Sequence, residues 1–407
     1  MTGVGRLGRS RRLGLAGLAA REAAVEPGGG AGDMPPVRGR EGSRRPPAAR
    51  PRRLATWARR AGRAAAAAIV AAACGGGADE AAERFRRWCA DRAAEAERAG
   101  TAVVAGEDGW LFFAPELRFV GAGRFWGERA AAVSRAPADA ADPLPAILHV
   151  HRELQALGVQ LLLVPVPPKA IVHADALGAG VAERPPPRLD VELQRFYATL
   201  GEAGVDVLDL TDGFLGARGE AGEAPFCRRD THWSGTGVVR AAQAIARKIR
   251  AAGFDVPPAR SFDAEWREVT IVGDLQRLSG RRDLPPERVR VRPVGLRSPE
   301  GLSAVDPDAA SPVLVVGDSH TLVFHAGGDL HATRAGLPDQ LARELGLAVD
   351  LAGVRGAGST AAWLDVARRA RRDAGYLPGK RVVIWCFAAR EFTEGDGWRR
   401  VPLRPDR

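Results

Sequence analysis

Cysteine is scarce in this chain, with four in 407 residues: Cys74, Cys89, Cys227 and Cys386. None forms a C-x-x-C pair, so a structural zinc site is not expected. No run of eighteen or more apolar residues occurs, which excludes an ordinary membrane-spanning helix. No repeat period runs along the sequence. The body of the chain also lacks net charge, despite a formal total of +10. Residues 1–63 hold fifteen Arg against four acidic residues, a net of +11, so the remainder is close to neutral. The body carries no aromatic-interleaved basic motif, and nucleic-acid binding is therefore not expected.

The basic head is rich in Gly, Pro and Arg over residues 1–53 and cannot bury a core, so disorder is expected there. Arg59, Arg60 and Arg63 precede the apolar run Ala64 to Ala73, which ends at Cys74-Gly75-Gly76-Gly77. A basic flank, a short apolar run and small residues after it describe an export segment. A Cys at that junction resembles a bacterial lipoprotein site. The expected organisation is a disordered head with an export segment over 1–78, a helical stalk or docking helix over 79–99, and a folded domain over 100–407. Lipidation of Cys74 leaves three cysteines and at most one disulfide among them, with the pairing open.

Five apolar runs lie in the body: Val159–Val164, Val205–Leu210, Val313–Val316, Leu347–Leu351 and Val382–Phe387. They do not alternate, and helical patterns separate them: Pro145–Leu157, Pro187–Ala203, Val238–Ile249, Pro338–Leu345 and Thr360–Arg372. Continuous apolar strands alternating with helices predict an α/β fold whose parallel sheet is covered on both faces. Residues 254–311 read as loop-rich, with Gly273-Asp274-Leu275 the only compact feature. With about twenty residues after the last strand, no appended carbohydrate-binding domain is expected to follow.

Chemistry concentrates at two element boundaries. Asp230-Thr231-His232-Trp233-Ser234-Gly235-Thr236-Gly237 runs into a helix, and Gly317-Asp318-Ser319-His320 follows a strand. A serine hydroxyl becomes a nucleophile when a base takes its proton, and imidazole is suited to that near neutral pH. His232 is the base expected for Ser319, and Asp230 the group that orients it. The Ser319 amide and an amide of Gly356–Gly358 are the candidate donors for the oxyanion. A Ser after a strand is more often a helix cap. Here it gains weight from the Asp-x-His pair. Ligands of such sheets sit beyond the carboxyl ends of the strands, so Ser319, Gly356–Ser359 and Ala388–Arg390 should share one cleft.

Gly317-Asp318-Ser319 together with Asp230-Thr231-His232-Trp233 resembles the SGNH-hydrolase-like acetyltransferases of the alginate O-acetylation (AlgJ/AlgX) group. Gly109-Trp110-Leu111-Phe112, Val164 to Lys169 and Phe387 to Glu391 are similar to further blocks of that family, and the likeness covers roughly residues 100–395. The resemblance implies a three-layer, flavodoxin-like SGNH-hydrolase fold with a permuted motif order, the Asp-x-His pair preceding the nucleophile. It implies a catalytic Ser319–His232–Asp230 triad, no cofactor, and acetyl transfer onto hydroxyls of an exported, alginate-like polysaccharide through an acetyl-serine. The implied partners are the polysaccharide acceptor, a membrane-bound acyltransferase that supplies the acetyl group, and an exopolysaccharide export complex. The implied location is the periplasm, with an anchor at Cys74. Departures are Cys227, His320 and the missing carbohydrate-binding tail.

Competing readings remain open at this stage. A carbohydrate esterase would use the same triad with water as acceptor, and a non-catalytic polysaccharide-binding subunit would not need Ser319. Asp230-x-His232 and Asp318-x-His320 could instead hold a divalent metal, although no further ligand cluster is visible. Arg390 is a candidate partner for a substrate carboxylate, with a salt bridge at the strand end as the alternative. Lys169 is equally ambiguous. Trp110 and Trp233 read as core before sugar-stacking platforms, His149 and His151 as helix surface or packing, and His325 and His331 as loop residues of undecided exposure.

Overall fold

A computed structural model describes residues 75–179, 188–218, 224–253 and 260–404. Residues 1–74 of the expected head and export segment, Cys74 included, lie outside the described residues, as does Pro187 at the start of an expected helix. Gly75 to Ala78, expected to belong to the head, already form the start of the helix Gly75–Arg98.

Five parallel strands form the central sheet: β1 (Gln160–Val166), β2 (Asp206–Val207), β3 (Val313–Gly317), β4 (Asp350–Gly353) and β5 (Val382–Ala388). Their spatial order is β4-β3-β5-β1-β2. Counting β3 as first in sequence turns this into 2-1-3-4-5, the flavodoxin-like order. The chain is therefore a circular permutation of that order, which explains why the Asp-x-His pair precedes the nucleophile. The topological switch point lies between β3 and β5, which pair from Val313↔Val382 to Gly317↔Cys386.

Both faces of the sheet are buried, which is why its strands read as continuous apolar runs. On one face Leu162, Val164, Val313, Val315 and Ile384 join Val238, Ala241 and Ile245 of helix Gly235–Ala251, together with Leu337 and Leu341 of helix Leu337–Leu345. On the other, Leu161, Leu163, Leu314, Val316, Val383 and Trp385 meet Ile147, Val150 and Leu154 of helix Pro143–Ala156, Phe196 of helix Val191–Glu202, and Trp363 and Val366 of helix Ala361–Arg372. This is the three-layer arrangement. Helix Gly75–Arg98 lays Phe85, Cys89 and Ala93 into the first core, so its apolar face is docked on the body. Among the described residues no helix is long and apolar enough to cross a membrane.

Three expectations are corrected in detail. Within the loop-rich stretch 254–311, Gly273-Asp274-Leu275 is not the only compact feature: among its described residues, strands Arg267–Ile271 and Glu287–Val291 pair antiparallel, and a second small sheet joins Asp263–Ala264, Val294–Ser298 and Gly301–Ser303. These strands are short and one-sided. In Glu287–Val291, buried Val289 and Val291 alternate with Arg288 and Arg290, which dilutes the apolar signal. The run Leu347–Leu351 pairs only from Asp350, because Leu347 and Val349 are buried in the approach to the strand. The edge run Val205–Leu210 pairs only at Asp206 and Val207 before a helix begins at Thr211. No disulfide forms among the described residues: Cys89, Cys227 and Cys386 are buried free thiols.

Candidate active site

The loop that carries Asp230 and His232 is held like a hairpin. Phe226 bridges Trp233, Cys227 N–H donates to His232 O at 3.2 Å, and Ser234 N–H donates to Pro225 O at 2.8 Å. Ser234 then caps the long helix, its Oγ accepting from Gly237 N–H at 3.1 Å. Outside the loop, Glu287 accepts the N–H groups of Arg228 and Arg229 at 2.6 and 2.9 Å. Asp274 accepts Thr231 N–H at 2.7 Å. Both acidic groups come from the segment expected to be loop-rich, Asp274 from the compact feature expected within it.

Lys169 resolves its ambiguity here. Its buried ammonium donates to Leu111 O at 2.7 Å and to the carbonyls of Arg228 and Asp230, each at 3.0 Å. Burial pushes this amine below the ordinary lysine value, against the pull of Glu287 and other nearby acidic groups. One side chain thus ties the strand Leu111–Phe113, which pairs antiparallel with Val103–Ala105, the segment after β1 and the Asp-x-His loop together. Its part is architectural.

At the end of β3, Gly317 lies so close to β5 that a Cβ would stand 1.8 Å from Cys386 O; only glycine fits. Asp318 follows and caps the short helix Ser319–Leu322. Its Oδ1 accepts His320 N–H and its Oδ2 accepts Ala388 N–H, both at 2.8 Å. The capping role thus falls to Asp318, and the Ser319 hydroxyl is left for His232. Their atoms, Oγ and Nε2, are 2.8 Å apart. On the far side of the ring, Nδ1 lies 2.6 Å from Asp230 Oδ1. Asp230 and His232 are buried, whereas Ser319 is partly open to solvent. The arrangement is a serine relay at the switch point of the sheet, where such folds place their ligands.

The electrostatics suit that relay. Burial disfavours the charged ring of His232, but the Asp230 carboxylate overcomes it and holds the imidazole above its ordinary value of 6.5. Burial would likewise raise Asp230, yet its two histidine neighbours keep it well below the usual carboxylate range. His320 differs. It is packed 4.8 Å from the His232 ring and edge-on to Trp233, and burial pushes it down to about 4, a neutral ring at working pH. It is buried.

Of the two candidate oxyanion glycines, Gly358 is buried against the nucleophile turn, where a Cβ would stand 3.0 Å from the Asp318 Cβ. Gly356 occupies an exposed turn at φ +65° with open space around it. Arg390 follows β5, half-buried, its guanidinium 5.5 Å from the centre of the Phe113 ring. Its Nη1 is buried without a hydrogen-bond partner. Trp233 is wholly core, and Trp110 is buried against His173 at 4.2 Å.

Asp230, His232 and Asp274 place donor atoms within 4.8 Å of one another, a spacing that could hold a metal. Those atoms already hydrogen-bond to each other, to Thr231 and to Ser319. The second Asp-x-His pair does not join them, because both oxygens of Asp318 are spent on backbone N–H groups.

One residue left undecided in sequence proves to belong to the site. His331 Nε2 lies 2.9 Å from Asp230 Oδ2, with its side chain only 5% exposed. No periodicity or spacing marks it, because it sits on an irregular loop 101 residues from its partner. His325 instead pairs with Asp339 at 2.9 Å, and His149 contacts Val401 O at 3.1 Å.

The permuted three-layer sheet and the Ser–His–Asp relay define an SGNH-hydrolase-like protein. Residues 103–389 match the sequence model of the family described as "SGNH hydrolase-like domain, acetyltransferase AlgX", and the chain belongs to that family. It is similar to a probable alginate O-acetylase AlgJ of Pseudomonas aeruginosa, 32% identical over 174 residues, which are 42% of this chain and 40% of the relative. The probable alginate O-acetylase AlgJ of Pseudomonas putida is 30% identical over 236 residues, 55% of this chain and 56% of the relative. The chain thus spans about half the length of the curated relatives it matches. The solved O-acetyltransferase domain of P. putida AlgJ superposes with a TM-score of 0.53 at 26% identity, covering 72% of this chain and 92% of that domain. The structure of P. aeruginosa AlgX superposes at 0.50 with 18% identity, covering 71% and 62%, a likeness of fold.

Proposed function

We propose that this protein is an O-acetyltransferase that passes an acetyl group through Ser319 to a hydroxyl of an exported, alginate-like polysaccharide. The observation that carries the reading is the continuous relay from Asp230 through His232 to Ser319, with contacts of 2.6 and 2.8 Å. His232 takes the Ser319 proton as Oγ attacks the acetyl carbonyl, and returns it to the departing donor group. Asp230 stabilises the imidazolium between these steps. In the second half, His232 takes the proton of the acceptor hydroxyl, whose oxygen attacks acetyl-Ser319; the proton then returns to Ser319 Oγ. The Ser319 and Gly358 amides are the proposed oxyanion donors. Gly356 supplies only the turn that leads to them. The unpartnered Nη1 of Arg390 is suited to a carboxylate or carbonyl of the substrate.

Family membership and the names of the relatives support the acetyl group and the polysaccharide class. Delivery of the acetyl group by a membrane-bound acyltransferase, and work beside an export complex, belong to the same proposal. So do a periplasmic location and a lipid anchor at Cys74, which rest on the basic, apolar and small-residue pattern of 59–77. Mass analysis of protein extracted from membranes should find a lipidated N-terminus at Cys74; a soluble cytoplasmic chain with its head intact would remove that part.

The chemistry is tested by incubating the full chain with 4-nitrophenyl acetate and following its intact mass. One acetyl adduct is expected, and an added oligouronate should discharge it and emerge acetylated. Discharge to water alone, unaffected by oligosaccharide, would assign the site to an esterase. No adduct and no turnover would favour a binding subunit.

A further inference from the structure

We infer that His331 is a positioning residue for the relay, a second imidazole that clamps the Asp230 carboxylate from the side opposite His232. The inference rests on the proposed use of Asp230, His232 and Ser319.

Asp230 has both oxygens occupied. Oδ1 accepts from His232 N–H at 3.0 Å and from His232 Nδ1 at 2.6 Å. Oδ2 accepts from Asp274 N–H at 2.8 Å and faces His331 Nε2 at 2.9 Å. A carboxylate offers about four acceptor sites, and four donors meet them here. The carboxylate therefore cannot rotate about its Cβ–Cγ bond without breaking charge-assisted hydrogen bonds on both sides. Its orientation in turn sets that of the His232 ring.

The loop that delivers His331 is built for the purpose at some cost. His331 stands at φ 77° and ψ −50°, a sparsely populated conformation for a residue with a side chain. Phe324 and Arg334 on the same loop also have positive φ. Phe324, Leu330 and Ala332 are buried, Ala326 bridges Thr333, and Arg355 grips Asp329 through contacts of 2.8 and 2.6 Å. Strain of this kind persists where surrounding contacts over-determine it, and it gathers at functional sites. Here it places one ring nitrogen on the carboxylate of the relay.

The clamp has a signature that simple support of the loop would not have. Each donor on Asp230 draws charge away from His232. Removing the His331 donor leaves more of that charge for the imidazolium, so the His232 titration moves up. The other groups facing the pair are Asp274, His320 and Arg390, with Lys169 and Cys227 behind Asp230; all are retained in the variants below. His232 must be neutral to accept the Ser319 proton. Wild-type acetylation should therefore fall with acid through a midpoint above about 6.5.

The experiment is the pH profile of turnover of 4-nitrophenyl acetate by the full chain, for wild type, His331→Leu, His331→Phe and His331→Gln. The Leu and Phe variants should lose about 10- to 100-fold in kcat, the worth of one charge-assisted hydrogen bond, with KM within about two-fold. Their acid midpoint should rise by about half a unit. Gln, which keeps a donor, should recover most of both. Wild-type kcat and an unmoved midpoint in a folded Leu or Phe variant would overturn the inference, as would loss of rate with no movement of the midpoint. If both variants fail to fold, wild-type protein with 15N-labelled histidine decides: His331 Nε2 must carry a proton, and an unprotonated Nε2 refutes the clamp. Failure of the underlying reading looks different, since wild type itself would then form no Ser319 adduct.

Discussion

Ser319→Ala is expected to lose acetyl transfer by about ten-thousand-fold or more while folding normally. The size follows from the role of Oγ as the atom that would form the covalent intermediate, for which no neighbour substitutes. His320, the adjacent imidazole, is pushed down to about 4 and buried against His232 and Trp233. Normal folding follows from the division of labour at the turn. Asp318 makes the helix cap and the bond to β5, so deleting Oγ removes only the contact to His232. Intact-mass analysis should show no adduct on the variant, and its melting temperature should lie within about 3 °C of wild type. Near-wild-type turnover by the variant would remove the covalent mechanism, whatever the fate of the His331 inference.

Asp230→Asn should cost about a thousand- to ten-thousand-fold in kcat and destabilise the fold as well. The carboxylate accepts from four donors. An amide of the same shape offers one oxygen and turns an NH2 group toward donors on its other side. If the NH2 faces Asp274 N–H and His331, those two donors are stranded. If it faces His232, the imidazole must adopt the wrong tautomer for taking the Ser319 proton. A buried network broken in this way costs about 2–4 kcal/mol of stability, which a chemical-denaturation curve would register. The pH signature runs opposite to that of the His331 variants. The Asp230 charge is what holds His232 above its ordinary value, so neutralising it should move the acid midpoint down. A downward shift for Asn and an upward shift for His331→Leu would locate both effects on one imidazole. A common direction would contradict the clamp.

The relay was legible because its parts lie at element boundaries with local markers. Asp230 and His232 are two residues apart at a helix start, and Ser319 follows the apolar run Val313–Val316. The parallel sheet was legible for a similar reason: strands buried on both faces carry no alternation. Strand limits were less legible, since Leu347 and Val349 are as apolar as a strand although the ladder starts at Asp350. The antiparallel pair Arg267–Ile271 and Glu287–Val291 carries little apolar signal because charged residues alternate with its few buried ones.

By itself, the sequence determined the α/β class, the order of the motifs and the two candidate motifs themselves, Asp230-x-His232 and Ser319 after its strand. Each is marked by residues close together along the chain and by the apolar period of its element. That the two motifs, 87 residues apart, meet was settled by the packing of the layers. Only the tertiary structure decided what holds them in place. Lys169 secures the carbonyls of Arg228 and Asp230, Asp274 orders the Thr231 backbone, and His331 meets Asp230 across 101 residues of chain. It also decided that Asp318 caps the turn, which leaves Ser319 Oγ to His232. Such contacts join single polar atoms from distant, irregular segments. Their geometry is set by how the layers pack, and no local pattern encodes it.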